Sequence, residues 1–189
     1  MAYVINNNNC LRLSILLLAL LVGCSPSLEN ETSTSDSNWD TYLGDSARTH
    51  YSPLIQITRE NVDQLELAWR YDSGEVREGG STMYTSPLIV DGVLYGLSPK
   101  LIAFALNAAT GEEIWRFDPG GNGAPQRGLM WWEDANERRL IYASGRELIA
   151  LDAASGEPIT SFGDNGRLDL RPSEDSGPFF TSVPGIVFE

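Results

Sequence analysis

The sequence predicts an all-β protein, a β-propeller assembled from four-stranded blades, and three observations carry that prediction. The phrase LNAATGEEIWRF at 106–117 returns as LDAASGEPITSF at 151–162, and WRYDSG at 69–74 anticipates WRFDPG at 115–120; the offsets are 45 and 46 residues. A period of that length is too short for a domain and suits one supersecondary unit in an array. Each copy holds an apolar stretch, a turn around Gly111 or Gly156, and a further β-rich run, so the unit is a blade and not a helix pair.

Residues 39–45 open the fold. The run 58–62, TRENV, reads as a short helix with Thr58 as N-cap and Glu60 in the first turn, where the helix dipole favours negative charge. The alternation over 65–71 predicts a strand. TSPLIVDGVLYGLS at 85–98 holds two β-rich runs joined by Asp91-Gly92, a strong hairpin signal, and the sheet continues into 101–106. The second copy places strands at 140–143 and 147–151, with Glu133, Asp134 and Glu137 around a polar hairpin tip, DANERR. Asp152 and Asp164 read as turn aspartates. Trp131 and Trp132 alternate along one strand, so they face opposite sides, and packing is the role expected of both.

The residues before the fold read as an address. Arg12 is followed by an almost wholly apolar run at 13–22 and then Gly23-Cys24. Ten residues make a signal h-region, since a membrane span needs about 20. Residues 1–23 are therefore expected to form a signal peptide, and Gly23-Cys24 resembles the bacterial lipobox, which implies lipidation of Cys24. Residues 24–38 are rich in Ser, Thr, Asn and acidic residues and read as a flexible tether. The expected location is a lipid anchor on the periplasmic side of a bacterial membrane. Ser25 in place of an aspartate favours the outer membrane.

The whole chain carries 13 basic and 26 acidic residues. Loss of Arg12 with the leader leaves 12 against 26, a net charge of −14. That balance argues against nucleic-acid binding. Cys10 lies in the leader and Cys24 is the anchor, so the mature chain has no disulfide. Two to three blades cannot close a ring, because propellers have about four to eight. The stretch 39–189, ending TSVPGIVFE, is expected to be the N-terminal part of a longer propeller.

The segment YLGDSARTHYSPLIQITRENVDQLELAW at 42–69 resembles the opening of the pyrroloquinoline quinone (PQQ) dependent dehydrogenases, the quinoprotein glucose and alcohol dehydrogenase family. The matching core is Tyr51-Ser52-Pro53-Leu54, Gln56-Ile57, Asn61-Val62, Leu65 and Ala68-Trp69. Ala105, Asn107, Gly111 and Trp115 resemble the family's tryptophan-docking motif; Asn107 stands for the usual aspartate, and Thr160 replaces the tryptophan in the second copy. In that family the tryptophan of one blade stacks on a peptide of the next, so the resemblance implies that Trp69, Gly111, Trp115 and Gly156 are blade-docking residues.

It further implies an eight-bladed propeller holding PQQ near its axis beside a calcium ion. Arg127-Gly128 matches the family's Arg-Gly signature, whose arginine binds a PQQ carboxylate, and Thr181 stands where a threonine bonds the cofactor. Tyr84 stands where many relatives have Glu or Gln, His50 replaces a frequent arginine, and Gly123 takes the place of a histidine found in some glucose dehydrogenases. The lack of an adjacent cysteine pair before Arg127 tilts the reading to the glucose dehydrogenase-like branch. The implied reaction oxidises a sugar or alcohol hydroxyl and passes electrons to a quinone or cytochrome. The catalytic base and calcium ligands are expected beyond residue 189, so the chain alone should be inert. The rival reading is a non-catalytic propeller lipoprotein, a scaffold such as an outer-membrane assembly factor.

Overall fold

The structure, a computed structural model, describes residues 2–5, 38–75, 80–120, 124–171 and 181–187. Two four-stranded antiparallel sheets form its body. The first blade contains β3 (Leu88–Val90), β4 (Val93–Leu97), β5 (Ala103–Asn107) and β6 (Glu113–Phe117), in that spatial order. The second contains β7 (Met130–Glu133), β8 (Arg138–Ser144), β9 (Glu147–Asp152) and β10 (Arg167–Asp169), again as neighbours in sequence order.

The β3–β4 hairpin turns where expected. Asp91 and Gly92 both have positive φ, 49° and 78°, as the tight hairpin turn matched to strand twist requires. Val90 then faces Val93 and Leu88 faces Tyr95. Strand alternation sorts the side chains: Leu88, Val90, Tyr95, Leu97, Ala103 and Ala105 meet Leu129, Leu140, Tyr142, Ile149, Leu151 and Ala153 in one buried cluster. The core therefore lies between the blades. Its small members, Ala103, Ala105 and Ala153, let the large aliphatic and tyrosine side chains interdigitate.

The repeated phrase folds the same way twice, with the same backbone N–H groups capped in each copy; the second adds one bond, from Ser155 Oγ to Asp152 Oδ1 (2.8 Å). Asn107 Oδ1 accepts from the N–H groups of Ala109 and Thr110, and Asp152 Oδ1 accepts from those of Ala154 and Ser155. Gly111 N–H donates to Asn107 O and Gly156 N–H to Asp152 O, each at 2.8 Å. Both glycines have φ of 75°. The turn needs an acceptor oxygen and no charge, which is why Asn107 serves where the second copy has an aspartate. Asp152→Asn is accordingly expected to be nearly neutral, whereas Asp152→Ala should cost about 1 kcal/mol, read by urea unfolding.

The copies diverge after the turn. In the first blade β6 follows at once and carries Trp115. In the second, Pro158 makes a single bridge to Leu151, Ile159 N–H bonds Ala150 O, and the chain loops through Gly163, Asn165 and Gly166, all of positive φ, before β10 pairs with Glu147–Ile149. A proline cannot donate to the ladder, so the outer strand is displaced along the sequence. Thr160 is left exposed in that loop.

The structure corrects the short helix expected at 58–62. Asn61 Oδ1 accepts from Thr58 N–H (2.7 Å) and Thr58 Oγ1 from Glu60 N–H (3.2 Å), closing a turn, and a 3-10 helix follows at Val62–Gln64. Its residues are not buried, so no apolar face drives further propagation. The expected strand at 65–71 is β2 (Leu65–Trp69), and that at 101–106 is β5, starting two residues later. β2 pairs antiparallel with β1 (Ala2–Ile5), Tyr3 opposite Leu67 and Ile5 opposite Leu65. β1 belongs to the expected leader; the rest of that leader, Cys10, Cys24 and the tether as far as residue 37 lie outside the described residues. Among the described residues no helix is long and apolar enough to cross a membrane.

Candidate functional site

The start of each inner strand comes to one place. Ser86 N–H donates to Arg127 O (2.8 Å) and Arg127 N–H donates to Ser182 O (2.9 Å), while Ser86 and Gly128 form a parallel bridge. Thr85 Oγ1 donates to Gln126 O at 3.1 Å. Segments 85–86, 126–128 and 181–182 thus lie side by side. Two of them lead directly into β3 and β7, so the convergence marks the edge where the inner strands of successive blades meet.

Glycine at 128 has a steric reason. A Cβ there would sit 2.9 Å from Tyr42 Cδ2 and 3.3 Å from Ser86 O, inside contact distance of both. The Arg-Gly pair therefore combines a close backbone approach with a long cation beside it. Arg127 is exposed and makes no ion pair with the described residues. Thr181 is half-buried, and its hydroxyl donates to Val183 O at 3.2 Å. Tyr84, next to Thr85, is 56% exposed. His50 is exposed with φ of 58°, and Gly123 lies outside the described residues.

The tryptophans divide by role. Trp69 Nε1–H donates to Ala108 O (3.1 Å), and Trp115 Nε1–H donates to Ala153 O (3.0 Å). Each indole lies over a glycine of the next turn: a Cβ on Gly111 would be 2.5 Å from Trp69 Cδ2, and one on Gly156 would be 2.6 Å from Trp115 Cδ2. Trp131 packs towards Tyr95, ring centroids 5.6 Å apart, and Trp132 carries the Arg139 guanidinium 4.6 Å above its ring. Both are thereby committed to packing.

Sequence reasoning missed two groups. Tyr42 seats against Gly128, a contact that the glycine itself signals. Glu75, whose side chain is almost buried, accepts from Arg116 Nη2 (3.0 Å) and from Ser98 Oγ, and fixes the segment after β2 to the first blade. No spacing rule points to that triad. Among the described residues three tyrosines are shifted upward: burial, with the Glu113 hydrogen bond next, pushes Tyr71 up to about 12, burial pushes Tyr95 up to about 12, and burial raises Tyr142. Tyr71 lines a cavity that Thr85 also lines.

The convergence carries the exposed Arg127 guanidinium, with no ion pair among the described residues, the Thr181 hydroxyl, engaged with Val183 O, and the exposed Tyr84 one residue before Thr85. PQQ, a planar tricarboxylate, fits that donor set: the guanidinium fork matches one carboxylate. Among the described residues no cluster of three His, Cys, Asp or Glu could hold a metal ion.

A family profile described as PQQ: glucose/ethanol/alcohol dehydrogenase, beta-propeller domain, matches residues 39–189. Quinoprotein glucose dehydrogenase A of Acinetobacter calcoaceticus is 26% identical over 81% of this chain and 23% of its own length. The dehydrogenase subunit of the quinone alcohol dehydrogenase of Gluconobacter oxydans is 38% identical over 66% of this chain and 17% of its own. The crystal structure of the quinohemoprotein alcohol dehydrogenase of Comamonas testosteroni superposes with a TM-score of 0.67 at 26% identity, over 85% of this chain and 23% of that one. The chain thus spans less than a quarter of the length of these proteins.

Proposed function

The chain belongs to the PQQ-dependent glucose and alcohol dehydrogenase β-propeller family, and from that premise we propose that it forms the opening blades of a dehydrogenase that oxidises a sugar or alcohol hydroxyl. The observation that carries the reading is the convergence of segments 85–86, 126–128 and 181–182, which joins Arg127, without an ion pair among the described residues, to the segment that carries Thr181. In this reading Arg127 holds a cofactor carboxylate and Thr181 offers a hydroxyl to the same ligand. Bound PQQ supplies the two-electron acceptor that side chains lack. Calcium accompanies it, on ligands outside this segment, and electrons leave to a quinone or cytochrome. Residues 1–23 act as a leader, Cys24 carries the lipid, 24–38 form the tether, and 39–189 are propeller. The anchor sits on the periplasmic side of a bacterial membrane, the outer one favoured. More than one acyl chain makes such attachment stable.

The family match across 39–189 favours the enzyme over a lipoprotein scaffold. The test is dye reduction by the full-length protein loaded with PQQ and calcium, across a panel of aldoses and primary alcohols. Turnover with at least one substrate, absent without cofactor, is expected, and residues 39–189 alone should give none. Silence of the loaded full-length protein, or turnover by the segment alone, would contradict the proposal.

A further inference from the structure

We propose that Gln126 is a positioning residue, setting the spacing at which Arg127 and Thr181 are presented; this rests on the cofactor reading above. Gln126 is 2% exposed and immediately precedes Arg127. Its Nε2 donates to Thr181 O and to Ala124 O (3.3 Å), and its own carbonyl accepts the Thr85 hydroxyl (3.1 Å). One residue therefore ties together all three segments of the convergence.

The chemistry requires an amide here. A primary amide nitrogen carries two donors, and both are spent on main-chain carbonyls, those of the half-buried Thr181 and Ala124. A carboxylate would set oxygen against oxygen at both, and an aliphatic side chain would leave both carbonyls short of a partner. The ladder through Ser86, Arg127 and Ser182 holds these strands only by their backbones, one bond at each step. Gln126 adds a side-chain brace across that ladder, from the residue next to the guanidinium to the carbonyl of Thr181 itself. A bidentate guanidinium contact tolerates an error of about 0.5 Å, so a brace at this point bears on ligand affinity as well as on stability.

The test compares Gln126→Met, which keeps the length and loses both donors, with Gln126→Asn, which keeps the amide one methylene shorter, in the full-length protein. Ile149→Val, a core change on β9, which contributes no residue to the convergence, serves as the stability control. PQQ is titrated into each apoprotein and its dissociation constant read from quenching of tryptophan fluorescence; melting temperatures are taken on the same samples. Gln126→Met is expected to bind PQQ about 10- to 100-fold more weakly and Gln126→Asn to recover most of that loss. Ile149→Val should lower the melting temperature and leave PQQ affinity alone. If Gln126→Met shifts only the melting temperature, as the control does, the positioning role is overturned and the residue is structural. If the wild-type protein binds no PQQ, the cofactor reading fails and takes the positioning role with it, an outcome visible before any variant is compared.

Discussion

Trp115→Ala is expected to lower the unfolding free energy of the two-blade unit by about 3 kcal/mol, the low end for a tryptophan truncation because the ring keeps part of its surface in water. The indole packs against the core between the blades, bonds Ala153 O, and lies flat over the Gly156 turn. Gly156→Val should cost a similar amount for the converse reason. Its φ of 75° carries about 1–2 kcal/mol for a residue with a Cβ, and that Cβ would lie 2.6 Å from the ring. The pair gives a sharper result than either change. Once Trp115 is gone the clash at 156 disappears, so the double variant should lose well under the sum of the single losses. Additive losses in urea unfolding followed by far-ultraviolet circular dichroism would mean that the two residues do not act as one contact.

Arg127→Ala in the full-length protein is expected to weaken PQQ binding by about 10- to 200-fold, the range of one charge-assisted hydrogen-bond pair, with little change in melting temperature. The second half of that expectation follows from the position. The side chain is exposed, makes no ion pair with the described residues, and leaves its backbone bonds to Ser86 and Ser182 intact when shortened. Arg127→Lys should recover only part of the loss, because an ammonium keeps the charge and loses the planar fork. Equilibrium dialysis against PQQ reads both. Affinity unchanged in the alanine variant would remove Arg127 from the site.

The parts of the fold that could be read in the sequence are those fixed by short-range chemistry. Asp91-Gly92 specifies a hairpin because only residues tolerant of positive φ close that turn. The 45-residue echo marks the blade because Asn107 and Asp152 cap the same turn in the same way. What could not be read depends on neighbours distant in sequence. The helix expected at 58–62 became a turn because no apolar surface arrives to extend it. The outer strand of the second blade slid to Arg167–Asp169 because Pro158 interrupts the ladder, a displacement whose length depends on the following loop.

The site divides along the same line. Arg127 and Gly128 could be marked as a motif, and the glycine hinted at a close approach, but Tyr42, the residue that makes the approach, lies 86 positions earlier in the chain. Gln126 has no pattern of its own. A lone glutamine in a polar stretch reads as surface until the fold brings the carbonyl of Thr181 to its amide.

In the proposed function, the convergence of segments 85–86, 126–128 and 181–182 forms one wall of a PQQ site. The most direct test is the structure of the full-length protein with PQQ bound. A PQQ carboxylate is expected within hydrogen-bond distance of the Arg127 guanidinium, with Thr181 on the same ligand. PQQ bound elsewhere, or Arg127 turned away into an ion pair with an acidic side chain, would contradict it.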